Sequence, residues 1–167
     1  IHDTVFATDA SCSAGGITQA ALPPWMKIIL YDLAEGGGAH VRLDQPAILS
    51  GSDLVQGELV ALLTIPLTWQ VVSGFDFKHP AHINILEAIA LLTCVFRLAK
   101  SGLHSLRVII LIDSGVVKGA ATKGRSSSRK LNHVLRKIAG LLLAHDLYLE
   151  LVWIPSKANS SDAPSRH

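Results

Sequence analysis

The chain has 167 residues, 49% of them hydrophobic, and its 15 lysines and arginines against 13 acids leave a formal net charge of +2. That length suits one domain able to bury roughly 70% of the surface its unfolded chain would expose. No apolar run approaches the ~18 residues of a membrane span and no signal-peptide pattern opens the chain, so membrane is left out of the expected partners.

A mean hydropathy of +0.38 suggests a sheet buried on both faces, because such strands read as apolar runs rather than alternations. Cys12 and Cys94 form neither a metal-type pair nor a disulfide framework, which points to a reducing, intracellular setting, cytoplasmic or nuclear. Cys12 reads as a small buried residue rather than a nucleophile. The first residue is Ile rather than Met, so residues 1–167 are expected to be a single domain excised from a longer polyprotein.

TVFATDA predicts a first strand over Thr4–Ala10, and Ser13–Gly16 a tight turn into an antiparallel second strand, Gly15–Ala21. Pro23-Pro24 suits the start of a helix over Trp25–Glu35, which Gly36-Gly37-Gly38 would end. His40–Leu43 suggests a short strand, and Ser52–Leu63 a short helix capped by Ser52 or Asp53. Leu67–Phe77 is the next strand. Ile83–Ala99 is long, apolar and free of Gly and Pro, hence a helix. RVIILI (Arg107–Ile112) fits a central parallel strand. Ser126–Ser128 can cap a helix over Arg129–His145, with Leu131, Val134, Leu135, Ile138, Leu141 and Leu142 as its core stripe. Leu147–Ile154 is the last strand, before a turn-rich segment. Antiparallel strands followed by alternating strands and helices predict an α/β fold, a mixed sheet flanked by helices. Right-handed crossovers place Arg107–Ile112 beside the first strand, both pointing the same way.

Four acids stand out in this frame. A carboxylate in an apolar strand, Asp9, is costly unless something positive meets it. Asp113 directly follows RVIILI, and sites in open α/β sheets lie just beyond such strand ends. Neighbouring strands would bring Asp9 and Asp113 into one site, where they repel unless protonated or bridged by cations. Mg²⁺ fits, since it takes oxygen ligands from few carboxylates plus substrate phosphates. Glu87 is the only charged residue from Ile83 to Phe96 and has no basic residue three or four positions away. Asp162, after serines, reads either as a fourth ligand or as a helix N-cap. Between Asp113 and Asp146 there is no acid but seven cations: Lys118, Lys123, Arg125, Arg129, Lys130, Arg136 and Lys137. Such a segment suggests a polyanion partner. Trp25, Trp69 and Trp153 read as core residues, and His79 with His82 as helix-start structure rather than a metal pair.

TDAS on the first strand, a helical Glu, Asp-Ser after an apolar strand and a late N-x-x-D-A-x-S-R resemble the ribonuclease H domain of a retroelement reverse transcriptase. HINILEAIALL (His82–Leu92), GRSSSRKLNHVL (Gly124–Leu135) and WIPSKANSSDAPSR (Trp153–Arg166) resemble segments of the DIRS-like, tyrosine-recombinase retrotransposon group. The match covers 4–21 and roughly 67–166, leaving 22–66 as a lineage-specific elaboration. The resemblance implies a mixed five-stranded sheet, three antiparallel then two parallel strands. It also implies endonucleolytic hydrolysis of the RNA strand of RNA·DNA hybrids during reverse transcription, beside a polymerase domain in the same polyprotein. Two Mg²⁺ ions, with Mn²⁺ as a substitute, would be held by Asp9, Glu87, Asp113 and Asp162, with Asp9 as the bridge. Lys123, Arg125, Arg129 and Lys130 would lie nearest the nucleic acid. Ser114 replaces the family's Asn, Trp153 its His, and Ser161 and Pro164 its Ala and Leu. No His falls between Trp153 and Asp162, so the family's auxiliary His role is either missing or filled differently, by Asn159 or Lys157. A catalytically weak or inactive nucleic-acid-binding platform on this fold is the main alternative. A resolvase or proofreading exonuclease is another, although the exonuclease pattern Asp-x-Glu is absent at Asp9-Ala10-Ser11.

Overall fold

The computed structural model describes residues 1–34 and 51–166, with the backbone alone at 51–54. Strand β1 (Thr4–Ala10) pairs antiparallel with β2 (Ala14–Ala21), and β2 with β3 (Gln70–Asp76). On its other side β1 runs parallel to β4 (Leu106–Ile112), which runs parallel to β5 (Leu147–Trp153). The sheet order is β3-β2-β1-β4-β5, the mixed five-stranded α/β arrangement expected. Helices α1 (Pro24–Leu33), α2 (Gly51–Thr64), α3 (Ile83–Lys100), α4 (Gly115–Lys123) and α5 (Arg129–His145) flank it.

The central strands are mostly apolar because both faces are covered. On one face Phe6, Val108, Ile110 and Ile112 pack with Leu91 and Val95 of α3 and with Leu131, Leu135 and Ile138 of α5. On the other, Val5, Ala7, Ile109 and Leu111 pack with Met26 and Leu30 of α1 and Val60 of α2. Alternate residues of one strand thus serve two cores. A smaller cluster, Ala10, Leu86 and Ala90 backed by Phe75 and Phe77, joins the end of β1 to the start of α3.

Local chemistry sets the boundaries. Helix α3 begins at His82, whose ring accepts from the Asn84 N–H at 3.3 Å, so His82 is helix-start structure as expected. Helix α5 begins at Ser128, whose Oγ accepts from the Leu131 N–H at 3.2 Å, and matches its expected span. Helix α4 was not legible in the sequence, where its two glycines and β-branched residues give low propensity. Tertiary context forms it: Ser114 caps Val117 N–H, Val117 and Ala120 are buried, and Gly124 ends it at φ +68°.

Several expectations need correction. The β1–β2 turn lies at Ser11–Ser13, ahead of the expected Ser13–Gly16, because the Ser11 Oγ accepts from the Ala14 and Ser13 N–H groups. That turn carries Cys12 outward, so Cys12 is exposed rather than buried. Trp25 is 56% exposed instead of core. Helix α1 buries the Met26 and Leu30 side, and its neighbour Trp25 faces away by the 100° step of the helix. Trp69 does pack against the second core. The predicted features at Glu35, Gly36–Gly38 and His40–Leu43 lie outside the described residues, and Ser52 and Asp53, expected as a cap, fall inside α2 instead.

Candidate metal centre

Parallel pairing of β1 and β4 ends at Thr8 opposite Ile112, so the next residues, Asp9 and Asp113, emerge side by side at the strand ends. Glu87 lies one turn into α3, which packs across β1. One carboxylate oxygen from each of Asp9, Glu87 and Asp113 lies within 4.8 Å of the others. Asp9 and Glu87 are only 5% and 6% exposed.

Gathering three carboxylates in a buried site is unfavourable. Burial, with the Asp113 and Asp9 charges adding, pushes the Glu87 carboxyl up to about 8. Burial also pushes Asp9 up to about 6; a hydrogen bond from Ser165 opposes the rise, and the Asp113 and Asp162 charges add to it. Among the described residues no lysine or arginine forms an ion pair with any of the three. Glu87 Oε2 and Asp113 Oδ1 are buried without a hydrogen-bond partner. Orphaned, mutually repelling, all-oxygen donors fit a hard divalent cation such as Mg²⁺ or Mn²⁺, and do not suit a soft metal.

Asp162 stands apart. It lies in a run of turns after a short 3₁₀ segment (Ser156–Ala158), is not part of the three-carboxylate cluster, and accepts from Arg166 Nε at 2.7 Å. Its charge still reaches Asp9. Asn159, considered for the auxiliary His role, is instead buried and committed: its Nδ2 donates to Thr8 O at 3.0 Å and its Oδ1 accepts from Ser161 N–H. Lys157 is exposed on the 3₁₀ segment. Ser114, in the family's Asn position, is spent on capping α4. Lys123, Arg125, Arg129 and Lys130 are all exposed, at the end of α4, the connection and the start of α5.

Three supporting residues were not read as such from the sequence. Trp153 Nε1–H donates to the Asp113 carbonyl at 2.9 Å, tying the strand end that carries Asp113 to β5. Gly57 of α2 lies flat against that indole; a Cβ there would sit 2.1 Å from Trp153 Cζ3. Ser165 donates to Asp9 Oδ2. The departure of Trp153 from the family's His was the one signal available; the Ser165 contact joins residues 156 positions apart and leaves no local trace.

No family model matches the sequence, and no curated protein matches it. Solved structures do. RNase H1 from Halobacterium salinarum NRC-1 is 15% identical with a TM-score of 0.54, over 96% of this chain and 92% of that one. LC11-RNase H1, isolated from compost by a metagenomic approach, is 14% identical with a TM-score of 0.55, over 98% and 93%. A further LC11-RNase H1 structure, in complex with an RNA/DNA hybrid, is 15% identical with a TM-score of 0.54, over 96% and 91%. The likeness shows the fold: the sheet with its flanking helices is ribonuclease H-like.

Proposed function

We propose that the chain is a metal-dependent endonuclease that hydrolyses the RNA strand of RNA·DNA hybrids. The observation that carries this reading is the convergence of Asp9, Glu87 and Asp113 within 4.8 Å, with unpartnered oxygens on Glu87 and Asp113. Those three residues would hold Mg²⁺, or Mn²⁺ in its place, with Asp162 as a fourth ligand on the outer side. When bound, the metal supplies Lewis-acid stabilisation of the phosphoryl oxygens and an activated water. The chain's own contribution is to gather the carboxylates at the strand ends, where a bound cation would offset their repulsion, and to keep the Asp113 backbone fixed through Trp153.

Lys123, Arg125, Arg129 and Lys130 would hold phosphates of the hybrid, making affinity strongly salt-dependent. Discrimination of a hybrid would rest on 2′-hydroxyl contacts across its wide minor groove. The finer attribution, to a DIRS-like retrotransposon reverse transcriptase with a polymerase partner, rests on sequence motifs alone, and the intracellular setting on the cysteine usage. Among the described residues no helix is long and apolar enough to cross a membrane.

The test is cleavage of end-labelled RNA·DNA hybrid, double-stranded RNA and double-stranded DNA in Mg²⁺, Mn²⁺ or EDTA. Cleavage of hybrid alone, lost in EDTA and in Asp9→Asn and Asp113→Asn, supports the reading. A second reading, the non-catalytic binding platform, is favoured by one observation: Asp162 lies outside the cluster and is paired with Arg166. Salt-sensitive hybrid binding without cleavage in either metal would select it.

A further inference from the structure

The segment Asn159–Ser165 is stitched to three successive residues of β1. Ser161 Oγ–H donates to Ala7 O at 2.7 Å, Asn159 Nδ2 donates to Thr8 O, and Ser165 Oγ–H donates to the Asp9 carboxylate. The hydroxyl of Thr18 on β2 lies 2.6 Å from Ser160 Oγ and 2.9 Å from Ser161 Oγ, anchoring the same segment from the neighbouring strand. The fit against the sheet is close. Gly16, the ladder partner of Asp9, has no room for a side chain, since a Cβ would lie 2.7 Å from Ser161 O, 2.9 Å from Pro164 Cγ and 3.0 Å from Ser165 N.

We propose that Ser165 is a positioning residue of the metal centre: its hydroxyl fixes the Asp9 carboxylate in one orientation beside Glu87 and Asp113. Ser165 is fully buried, and the backbone beneath it is pinned between Gly16 and the bonds of Asn159 and Ser161. Its hydroxyl has two acceptors in reach, Asp9 Oδ2 and, at 3.0 Å, the Asp162 carbonyl oxygen. The anionic one makes the stronger, charge-assisted bond. The Asp9 carboxylate also receives the Ala10 backbone N–H, which leaves Ser165 as the side-chain donor among the described residues that sets its orientation against two repelling neighbours. Hydrogen bonds behind a ligating carboxylate tune metal affinity, and losing one costs about 10–100-fold in affinity or activity. Ser161 supplies an internal comparison. It is equally buried and donates to β1 in the same way, but to a backbone carbonyl rather than to a carboxylate.

The inference rests on the proposed metal site and is tested by binding rather than by turnover. Mn²⁺ is titrated into the parent chain, Ser165→Ala and Ser161→Ala at one fixed pH. Free Mn²⁺ is read by electron paramagnetic resonance, with thermal melts alongside. Both variants are expected to melt at lower temperature. Only Ser165→Ala is expected to weaken Mn²⁺ binding, about tenfold. Parent-like binding by Ser165→Ala, or equal weakening by Ser161→Ala, overturns the positioning role while the metal site stands. A parent chain that binds no Mn²⁺ overturns the site itself and the inference with it. If Ser165→Ala does not melt cooperatively, Ser165→Cys takes its place, similar in size with a weak S–H donor. Weakening of binding by that variant is expected, and parent-like binding overturns the proposal.

Discussion

The three clustered acids and Asp162 occupy opposite settings at one end of the sheet. Asp9, Glu87 and Asp113 project from β1, α3 and β4, the elements that build the core, and crowd together with two oxygens unpartnered. Asp162 sits on a turn with its side chain 36% exposed and has a partner in Arg166. The first set is costly in the bare protein and is reconciled only by protons or a cation; the second is already satisfied. A carboxylate with no protein partner is the one most available to a metal, so the dependence on metal should concentrate in the cluster.

The largest expected effect follows from that difference. Asp9→Asn or Asp113→Asn should lower hybrid cleavage by about 10³-fold or more, since several kcal/mol of transition-state stabilisation is at stake. Asp162→Asn should lose roughly an order of magnitude, its ligand role being peripheral to the cluster. Single-turnover cleavage of labelled hybrid measures both, and equal losses would erase the contrast.

The next effect is on stability without metal. The folded values of about 6 for Asp9 and about 8 for Glu87 lie above the ordinary 3.8 and 4.5, so the folded chain holds more protons than the unfolded one over that interval. Stability from these groups is therefore complete below about pH 4 and is lost as pH rises through about 6 and then about 8. For Glu87 this amounts to a few kcal/mol at most, on the order of 1.4 per pKa unit. Urea unfolding in EDTA should show the decline between pH 5 and 8. Glu87→Gln should flatten its upper part, whereas Asp162→Asn, whose charge adds to the Asp9 rise and not to that of Glu87, should leave that upper part in place.

A smaller effect tests how Asp113 is held. Gly57→Ala forces a methyl into the Trp153 ring and should cost about 1–3 kcal/mol. Trp153→Phe keeps an aromatic ring but frees the Asp113 carbonyl, and should lower cleavage more than it lowers the melting temperature. Smallest of all, Asp162→Asn should leave the melting temperature nearly unchanged, because exposed ion pairs contribute little.

The strands and the two long helices were legible because their apolar runs and caps are local: β1 and α5 match their expected bounds, and α3 differs by one residue. Asp9, Glu87 and Asp113 were legible for the related reason that an acid inside an apolar run is conspicuous. Helix α4 was not, since its glycines and valines argue against a helix and its stability comes from Ser114, Gly124 and burial of Val117. Cys12 and Trp25 were misjudged because composition does not say which side of a turn or helix faces water. The supports of the site, Ser165 on Asp9 and Trp153 on Asp113, join residues far apart in the chain. Only the folded backbone brings them together.

The central claim is that Asp9, Glu87 and Asp113 form a divalent-cation site. The most direct measurement is the melting temperature at pH 8 as Mg²⁺ replaces EDTA. A ligand that binds only the folded chain raises it with the logarithm of concentration. The parent should show that rise, and Glu87→Gln and Asp113→Asn should lose most of it. A parent chain indifferent to Mg²⁺ and Mn²⁺, or variants that respond as strongly as the parent, would contradict the account.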